Sequence, residues 1–547
     1  MSAHVASRDA VVAPAPLWTR VALAAGLIVL AVAACDPLST PSPKGLDAPN
    51  SVFSAERAWA ELGVVAARPR PIGSPANAAV REHLLERAAD AGLGARHQQG
   101  DGGAQNVIVE LPGTGSTGTV LITAHYDSVP DGPGAGDAGV AVVALLESMR
   151  AVAAGPPLRN DVVFLFTDGE EAGWLGAKAF AASGDAEEVA VVIAIESEPG
   201  DGPTTLQQTS RGDGWLVEQL AATDPPAWVS SVSNSAERDD FDSDFDVLSR
   251  AGLAGIEFAN PKDGTRYHLP GDTRDAIDLD HLQAHGNTVT SLVRRFGDVD
   301  LQRERDENDR VFTTLPAVGI VSLASNAATA LAVAALVAVV LLVAYQTRRS
   351  PIGGRGVLWG VVATGVAIAS IVITATIIWE LLVRVQGGGD TKDFPDFDGS
   401  DTALTALYAG IGAAFVWAVA RYAARRDPVE AALGGLVWLS ALHVVLMIES
   451  PLAVSLTTWP LLAGVGAILA WTAVRPRPAL PLLVVAAGPS MLFFVPQLTL
   501  WVQSPSEPMP LMALAGALLF ASLVPQLAVI LGCIPTLQPR QADHSDR

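Results

Sequence analysis

The chain has 547 residues, of which 50% are apolar and only 17% are charged. This composition excludes a disordered chain and an ordinary soluble enzyme, because a soluble surface needs more charged side chains. We expect the surplus of apolar residues to lie in membrane spans.

The charge is unevenly distributed along the chain. Residues 36–316 hold 44 of the 57 acidic and 21 of the 35 basic side chains, a net charge of −23, which leaves +1 on the rest. So acidic a segment argues against nucleic acid as a partner, because phosphates would be repelled. It suits the binding of metal ions or of positively charged groups.

The N-terminal segment contains an apolar run from 21 to 34 that follows Arg20. Its length of about 14 residues is typical of a signal peptide and short for a span. We interpret residues 1–35 as a signal anchor or signal peptide, and the sequence ending at Cys35 also fits a lipoprotein acylated there. The domain that follows is exported in each case. Residues 36–50, rich in Pro and Ser, form a predicted linker.

Residues 51–300 alternate short β-branched runs with amphipathic segments. The predicted strands are 106–111, 120–123, 162–166, 189–195 and 255–258, and the predicted helices are 76–91, 138–152, 214–222 and 280–296. This alternation predicts a three-layer α/β domain with a mostly parallel central sheet. Ligands of such sheets bind beyond the carboxyl ends of the strands.

After a predicted linker at 301–326, the chain becomes strongly apolar. Seven segments have spanning length: 327–345, 357–382, 403–420, 431–448, 452–474, 480–501 and 509–533. We therefore predict an all-α, seven-span membrane domain at 327–533 and a cytoplasmic tail at 534–547. Basic loops alternate with acidic or neutral ones, which predicts a multi-pass protein of the cytoplasmic membrane with its acidic domain outside.

Metal-binding residue types cluster at the predicted strand ends. They are His125, Asp137, Glu170, Glu171, Glu196 and His268. Asp127 lies two residues after His125, on the same side of an extended chain, where it can accept a bond from the far ring nitrogen. A mixed set of carboxylates and imidazoles suits zinc, with manganese or cobalt also compatible.

These pieces occur in a definite order along the chain. Gly73-Ser74-Pro75-Ala76-Asn77 is followed by His125-x-Asp127, Gly-Ala-x-Asp137, Glu170-Glu171, Glu196, Ser243-Asp244-Phe245 and Tyr267-His268. The ordered set resembles the cocatalytic di-zinc aminopeptidase family, which contains leucyl aminopeptidase, aminopeptidase S and the endoplasmic-reticulum metallopeptidases. The resemblance covers roughly residues 51–300, and the appended helices look like those of the membrane-anchored branch.

The resemblance implies a role for each matching residue. Asp137 would bridge two zinc ions, His125 and Glu196 would complete the ligands of one ion, and Glu171 and His268 those of the other. Glu170 would be the general base, Asp127 would orient His125, and Tyr267 would stabilise the oxyanion. The implied cofactors are two Zn²⁺ per chain, and the implied partners are peptide substrates and the lipid bilayer.

The sequence departs from the family pattern at three places. Ala138 stands where an acidic or amide residue is common, and Ser243 where threonine is common. Residues 196–200 lack the arginine of many membrane-anchored relatives, so Glu198 competes with Glu196 as the ligand, and we favour Glu196 from its position at the strand end.

Other titratable clusters have more ordinary interpretations. The acidic run Asp239, Asp240, Asp242, Asp244 and Asp246 is predicted to be a loop and helix start, with a calcium site as the alternative. His281 and His285 lie one turn apart on a helix predicted to be peripheral, which indicates structural or solvated roles. His443, inside a span, is predicted to be buried and hydrogen-bonded.

The expected function is that of a membrane-anchored zinc aminopeptidase acting outside the cytoplasmic membrane. Two alternatives remain: a glutaminyl-cyclase-like acyltransferase with one zinc, and a noncatalytic receptor or transporter with a peptidase-like domain. The sequence defines neither the side-chain preference nor the oligomeric state.

Overall fold

The computed structural model describes residues 17–223, 227–237, 243–261, 266–302, 306–349, 353–385, 428–473 and 476–503, together with the single residues 410, 516 and 523. The first helix, α1 (Leu17–Ala34), covers the apolar N-terminal run. Whether it is kept as an anchor stays a prediction.

An eight-stranded sheet forms the centre of the region that follows. Its strands are β1 (Gly94–Gln99), β2 (Gln105–Leu111), β3 (Thr119–His125), β4 (Asp161–Thr167), β5 (Val189–Ile195), β6 (Thr204–Thr209), β7 (Ala227–Trp228) and β8 (Gly255–Ala259). The strand order is β1-β2-β4-β3-β5-β8-β6-β7. The four central strands β4, β3, β5 and β8 are parallel, whereas β2 and β6 run antiparallel to their inner neighbours.

The register brings the ends of the parallel strands level. His125, the last residue of β3, pairs with Thr167, the last residue of β4. On the other side, Ile195 at the end of β5 pairs with Phe258 of β8. The residues that follow these strands therefore emerge at one edge of the sheet, as the sequence predicts.

Helices cover both faces of the sheet. They are α2 (Ala55–Val65), α3 (Pro75–Asp90), α4 (Ala141–Ala153), α5 (Leu175–Ala181), α6 (Gly214–Thr223), α7 (Ser231–Glu237), α8 (Asp244–Arg250) and α9 (Leu279–Asp298). One core joins the sheet to α2, α3, α4, α6 and α9, and a second core on the opposite face contains Phe180 of α5 and Phe245 of α8. The predicted three-layer α/β architecture is confirmed.

Helix α9 corrects one expectation. It is not peripheral, because His281 and His285 are buried and their rings are in edge contact at 4.6 Å. His281 Nδ1 donates to the carbonyl of Gly202, and His285 bonds Thr204 Oγ1 through Nδ1 and the carbonyl of Glu196 through Nε2. Burial lowers the pKa of both histidines, which therefore have the structural rather than the solvated role.

The segment predicted as the 301–326 linker contains a β-hairpin. Strands β9 (Arg310–Leu315) and β10 (Gly319–Ala324) pair antiparallel. The amide of Thr314 donates to the carbonyl of Val229, just beyond β7. Phe312 is buried in the same core as the central sheet, so this hairpin packs on the α/β domain.

Long apolar helices follow the hairpin. They are α10 (Ser325–Arg349), α11 (Gly353–Val385), α12 (Pro428–Glu449), α13 (Ser455–Ala473) and α14 (Pro476–Gln503). Within the described residues, α10, α11 and α12 are long and apolar enough to cross a membrane, while α13 and α14 contain shorter apolar stretches. The predicted spans at 403–420 and 509–533 lie outside the described residues except for the single positions 410, 516 and 523, so seven spans remain a prediction.

Polar and small residues join these helices. His443 of α12 bonds Thr457 Oγ1 of α13 through Nδ1 and donates from Nε2 to the carbonyl of Ala332 in α10. This confirms that His443 is buried and hydrogen-bonded. Gly360 of α11 and Gly434 of α12 lie back to back, where an added Cβ would overlap the facing backbone, as small residues permit in membrane bundles.

Candidate metal centre

The candidate site lies at the carboxyl edge of the four parallel strands. His125 ends β3, Glu170 and Glu171 follow β4, and Glu196 follows β5. His268 lies in the loop after β8, and Asp137 lies in the irregular helical turn before α4. The peptide between Asp137 and Ala138 is cis.

Asp137 lies between two groups of side chains. Its Oδ1 is 3.3 Å from Nε2 of His125, and that same nitrogen is 3.5 Å from Oε2 of Glu196. Its Oδ2 is 3.1 Å from Nε2 of His268, which is also 3.1 Å from Oε2 of Glu171. One carboxylate therefore presents a different oxygen to each group.

The spacing of these atoms suits bound metal ions. Two ligands of a tetrahedral zinc with bonds of about 2.0–2.1 Å lie about 3.3 Å apart. One ligand atom from each of Asp137, Glu171 and His268 lies within 4.8 Å of the other two. Asp137 Oδ2, Glu171 Oε1 and His268 Nε2 are buried and make no hydrogen bond within the described part of the chain, an arrangement that a cation would satisfy.

Asp127 lies directly behind this group. Its carboxylate accepts the backbone N–H of Glu170 at 3.1 Å and of Glu171 at 3.3 Å. Its Oδ1 is also 3.5 Å from Nδ1 of His125. Asp127 therefore holds the two consecutive glutamates and faces the far nitrogen of the histidine.

Glu170 and Tyr267 complete the predicted set. Burial raises the pKa of Glu170 to about 10, with the carboxylates of Glu196, Asp244 and Asp127 adding to the shift and His125 opposing it. Cations held by the neighbouring ligands would lower this pKa and leave the carboxylate able to take a proton. The ring of Tyr267 stacks on His268, with centroids 3.7 Å apart. Burial raises the pKa of the Tyr267 phenol, which therefore stays protonated and able to donate.

The carboxylates around His125 and His268 raise the pKa of both histidines. Burial would lower the pKa of His268, but its contacts with Asp137 and Glu171 raise it to about 9. Burial likewise opposes protonation of His125, yet the neighbouring carboxylates raise its pKa well above the usual value. The site is thus built to attract positive charge.

Two residues that the sequence does not indicate support the site from behind. Asp272 accepts the backbone N–H of Gly136 at 2.6 Å and of Asp137 at 3.1 Å. The fully buried guanidinium of Arg70 donates to the carbonyls of Tyr126, Pro133 and Gly134. Their partners are backbone groups of distant loops, which no local spacing reveals.

One motif of the sequence resemblance also gains a structural explanation. Ser74 caps α3, and Asn77 in its first turn donates from Nδ2 to Asp168 Oδ1 at 2.8 Å. Asp168 precedes the Glu170-Glu171 pair, so the motif at residues 73–77 fixes the start of the loop that carries both glutamates. The sequence resemblance includes Asn77 but does not indicate that Asp168 is its partner.

Glu198 differs from Glu196 in its surroundings. The amide of Glu198 donates to Asn260 Oδ1, and Asn260 Nδ2 donates back to its carbonyl. Glu196, by contrast, lies with its Oε2 3.5 Å from Nε2 of His125. Asp239, Asp240 and Asp242 lie outside the described residues, and among the described residues Asp244 and Asp246 belong to no group of three potential metal ligands.

Comparison with known proteins finds a family match within the α/β region. Residues 106–293 match the sequence profile of "Peptidase family M28". This match confirms the metallopeptidase family resemblance seen in the sequence.

Relatives of this domain occur in membrane proteins. Endoplasmic reticulum metallopeptidase 1 of Rattus norvegicus is 30% identical over 209 residues, which cover 37% of this chain and 23% of that protein. A vacuolar membrane protease of Yarrowia lipolytica is 28% identical over 275 residues, or 43% and 27% of the two chains. The chain thus spans about a quarter of the length of these curated relatives.

Solved structures also align with part of the chain. An aminopeptidase from Aneurinibacillus sp. strain AM-1 aligns with a TM-score of 0.39 at 15% identity, covering 47% of this chain and 97% of that one. A glutaminyl cyclase from Porphyromonas gingivalis aligns with a TM-score of 0.36 at 20% identity, covering 43% and 96%.

Proposed function

We propose that this protein is a membrane-anchored di-zinc metallopeptidase that removes residues from the N-terminus of extracytoplasmic peptides. The observation that carries the proposal is the position of Asp137, whose two oxygens face two different sets of buried ligand atoms. A carboxylate shared in this way is suited to bridging two cations.

The ligand sets follow from the contacts. His125, Glu196 and Oδ1 of Asp137 would hold one zinc, and His268, Glu171 and Oδ2 of Asp137 the other. Asp127 would orient His125 and keep the loop of Glu170 and Glu171 in place. Outer partners of this kind fix the direction of metal ligands.

The remaining residues would perform proton transfer and charge stabilisation. When bound, two zinc ions supply Lewis acidity and lower the pKa of a water molecule between them. Glu170, adjacent to a ligand in the chain, would take a proton from the attacking water and pass it to the leaving amine. The Tyr267 phenol would donate to the oxygen of the scissile carbonyl as negative charge develops there.

The cellular placement is part of the same proposal. The helices that follow the domain would anchor it in the cytoplasmic membrane, and the alternation of basic and acidic loops supports an extracytoplasmic domain and a cytoplasmic C-terminus. The strongly negative α/β region would favour peptides with a free, positively charged N-terminus.

Substitution of the general base tests the mechanism. We expect Glu170→Gln to keep two zinc ions per chain and to lose about 10²–10⁴-fold in kcat on an aminoacyl chromogenic substrate, because it removes proton transfer alone. Elemental analysis and steady-state kinetics on the full chain in detergent measure the two effects.

The matched control is Glu187→Gln, at an exposed position after α5, which should change neither quantity. Full activity of Glu170→Gln would contradict the proposed base. One zinc per active wild-type chain, with cyclisation of N-terminal glutamine in place of hydrolysis, would favour acyl transfer.

A further inference from the structure

A second cavity lies away from the metal centre, where the β9–β10 hairpin meets the membrane helices. Its volume is about 370 Å³, and it is lined by the hairpin and by α10, α13 and α14. The lining is mostly apolar and includes Phe312, Leu331, Trp459, Leu492 and Phe493. This volume lies in the range of about 300–1,000 Å³ that is usual for small-molecule sites.

One polar group in the wall of this cavity lacks a partner. Ser455, the first residue of α13, is 7% exposed, and its buried Oγ makes no hydrogen bond with any described residue. Burying a hydroxyl without a partner costs about 1–3 kcal/mol. A ligand that fills the cavity and accepts a hydrogen bond from Ser455 would recover this cost.

The cavity opens onto the surface of the helical bundle. Two of its lining residues, Leu323 of β10 and Trp459 of α13, are exposed to 39% and 36%. Apolar side chains exposed beside spanning helices contact the bilayer. Lipid chains around the bundle can therefore reach the cavity.

The cavity also extends along the depth of the helical bundle. Leu500 of α14 packs on Trp228 of the peptidase domain and marks the level of that domain. Phe493 in the cavity wall lies seven residues earlier, about 10 Å along the helix axis. A ligand would thus have one end near the domain and the other at the depth of hydrocarbon.

We propose that this cavity holds one acyl chain of a bilayer phospholipid, with the ester carbonyl accepting a hydrogen bond from Ser455 Oγ. Burial of the methylene groups of the chain would drive such binding. The lipid contacts the hairpin and three helices together and would hold the peptidase domain at a fixed height on the bilayer. The proposal does not depend on the catalytic function.

Photolabelling tests the proposal. The full chain is placed in phosphatidylcholine nanodiscs that contain a phosphatidylcholine with a diazirine on its acyl chain, irradiated, and mapped by mass spectrometry. We expect adducts on the cavity lining at 311–331 and 454–459, in addition to adducts on the exposed face of α10. Leu331→Trp, which fills the cavity, should reduce the lining adducts several-fold.

Two further variants separate the site from the general lipid surface. Val337→Trp places the same ring on the exposed face of α10 and should leave the lining adducts unchanged. Ser455→Ala should reduce them about 2- to 10-fold, the effect of losing one hydrogen bond of about 0.5–1.5 kcal/mol. Adducts confined to the exposed face, or lining adducts unchanged in both cavity variants, would overturn the proposal.

The positions of the photolabelling adducts on the wild-type chain test the proposal even if Leu331→Trp does not fold. Native mass spectrometry of the wild-type chain released from the nanodiscs should show one retained phospholipid mass. A retained peptide, a retained second copy of the chain with unlabelled lining, or no retained mass would likewise overturn the proposal.

Discussion

Asp272 supports the candidate metal centre through the backbone. Its two oxygens accept the backbone N–H groups of Gly136 and Asp137, and so they fix the carboxylate that faces both ligand sets. The amide of asparagine has one acceptor oxygen and cannot make both bonds. The position of Asp137 therefore depends on a residue 135 positions away in the chain.

We expect Asp272→Asn to weaken zinc affinity about 10- to 100-fold, as loss of a group that orients a ligand does. Competition with a chromophoric chelator measures this affinity. Asp275→Asn makes the same chemical change at an exposed site three residues away and should have no effect. Equal zinc affinities of the two variants would show that Asp272 does not support the zinc ligands.

Arg70 has a comparable role for the loop at residues 126–134. Its planar guanidinium donates to three carbonyls at once, and the ammonium of lysine cannot reproduce that geometry. We expect Arg70→Lys to lower the free energy of unfolding by about 2–4 kcal/mol, which chemical denaturation measures. The exposed Arg68→Lys is the control, and a similar small loss in both variants would contradict the argument.

The sequence predicted the residues that face the site better than those that support it. His125, Glu170, Glu171 and Glu196 sit at or just after apolar strands whose carboxyl ends must meet, so their proximity follows from strand order alone. Asp272 and Arg70 act on backbone groups that only the folded loops bring near them. Such partners leave no periodic pattern in the sequence.

At the scale of elements, α9 shows how a helix position is decided by packing. Its amphipathic sequence predicts a peripheral helix, but its histidines and Gly286 face the core. Gly286 lies against the ring of Phe53, where an added Cβ would overlap that buried ring. The close approach of α9 to Phe53 therefore requires a glycine at position 286.

We expect Gly286→Ala to destabilise the fold by about 1–3 kcal/mol, because the overlap outweighs the gain in helix propensity. Phe53→Leu should partly rescue it, with a coupling energy of about 0.5–3 kcal/mol in a double-mutant cycle of unfolding free energies. Strictly additive effects would show that the two residues do not limit the approach of α9.

The strands of the sheet likewise differ in whether the sequence predicts them. The central strands β2, β3, β4, β5 and β8 are apolar runs and were predicted. Strands β1 and β6 were not, because their sequences, GARHQQ and TTLQQT, are polar. Pairing with an existing neighbour, rather than local hydrophobicity, makes these two segments extended.

At the scale of the whole molecule, the buried histidines of α9 link stability to pH. Their pKa values are lowered in the folded state by burial. Above the unfolded pKa of about 6.5 both states are neutral and stability is complete. Below this pKa the two histidines bind protons more readily in the unfolded chain than in the folded chain. The free energy of unfolding therefore falls as the solution becomes more acidic.

We expect this loss to approach about 1.4 kcal/mol per pH unit for each histidine. The double variant His281→Gln, His285→Gln should have a flatter dependence between about pH 7 and pH 5. Denaturation of the full chain with chelator present measures it without a contribution from metal release. An unchanged slope in the variant would assign the acid sensitivity to other groups.

The β9–β10 hairpin has a practical consequence for preparing a soluble fragment of the peptidase domain. A chain cut at residue 300 would lose Leu301 and Phe312 from the hydrophobic core and would leave the stretch beyond β7 without its neighbour. An uncovered strand edge of this kind promotes aggregation. A fragment that ends after Ala324 would retain the hairpin, and the α/β domain should therefore be cut where α10 begins.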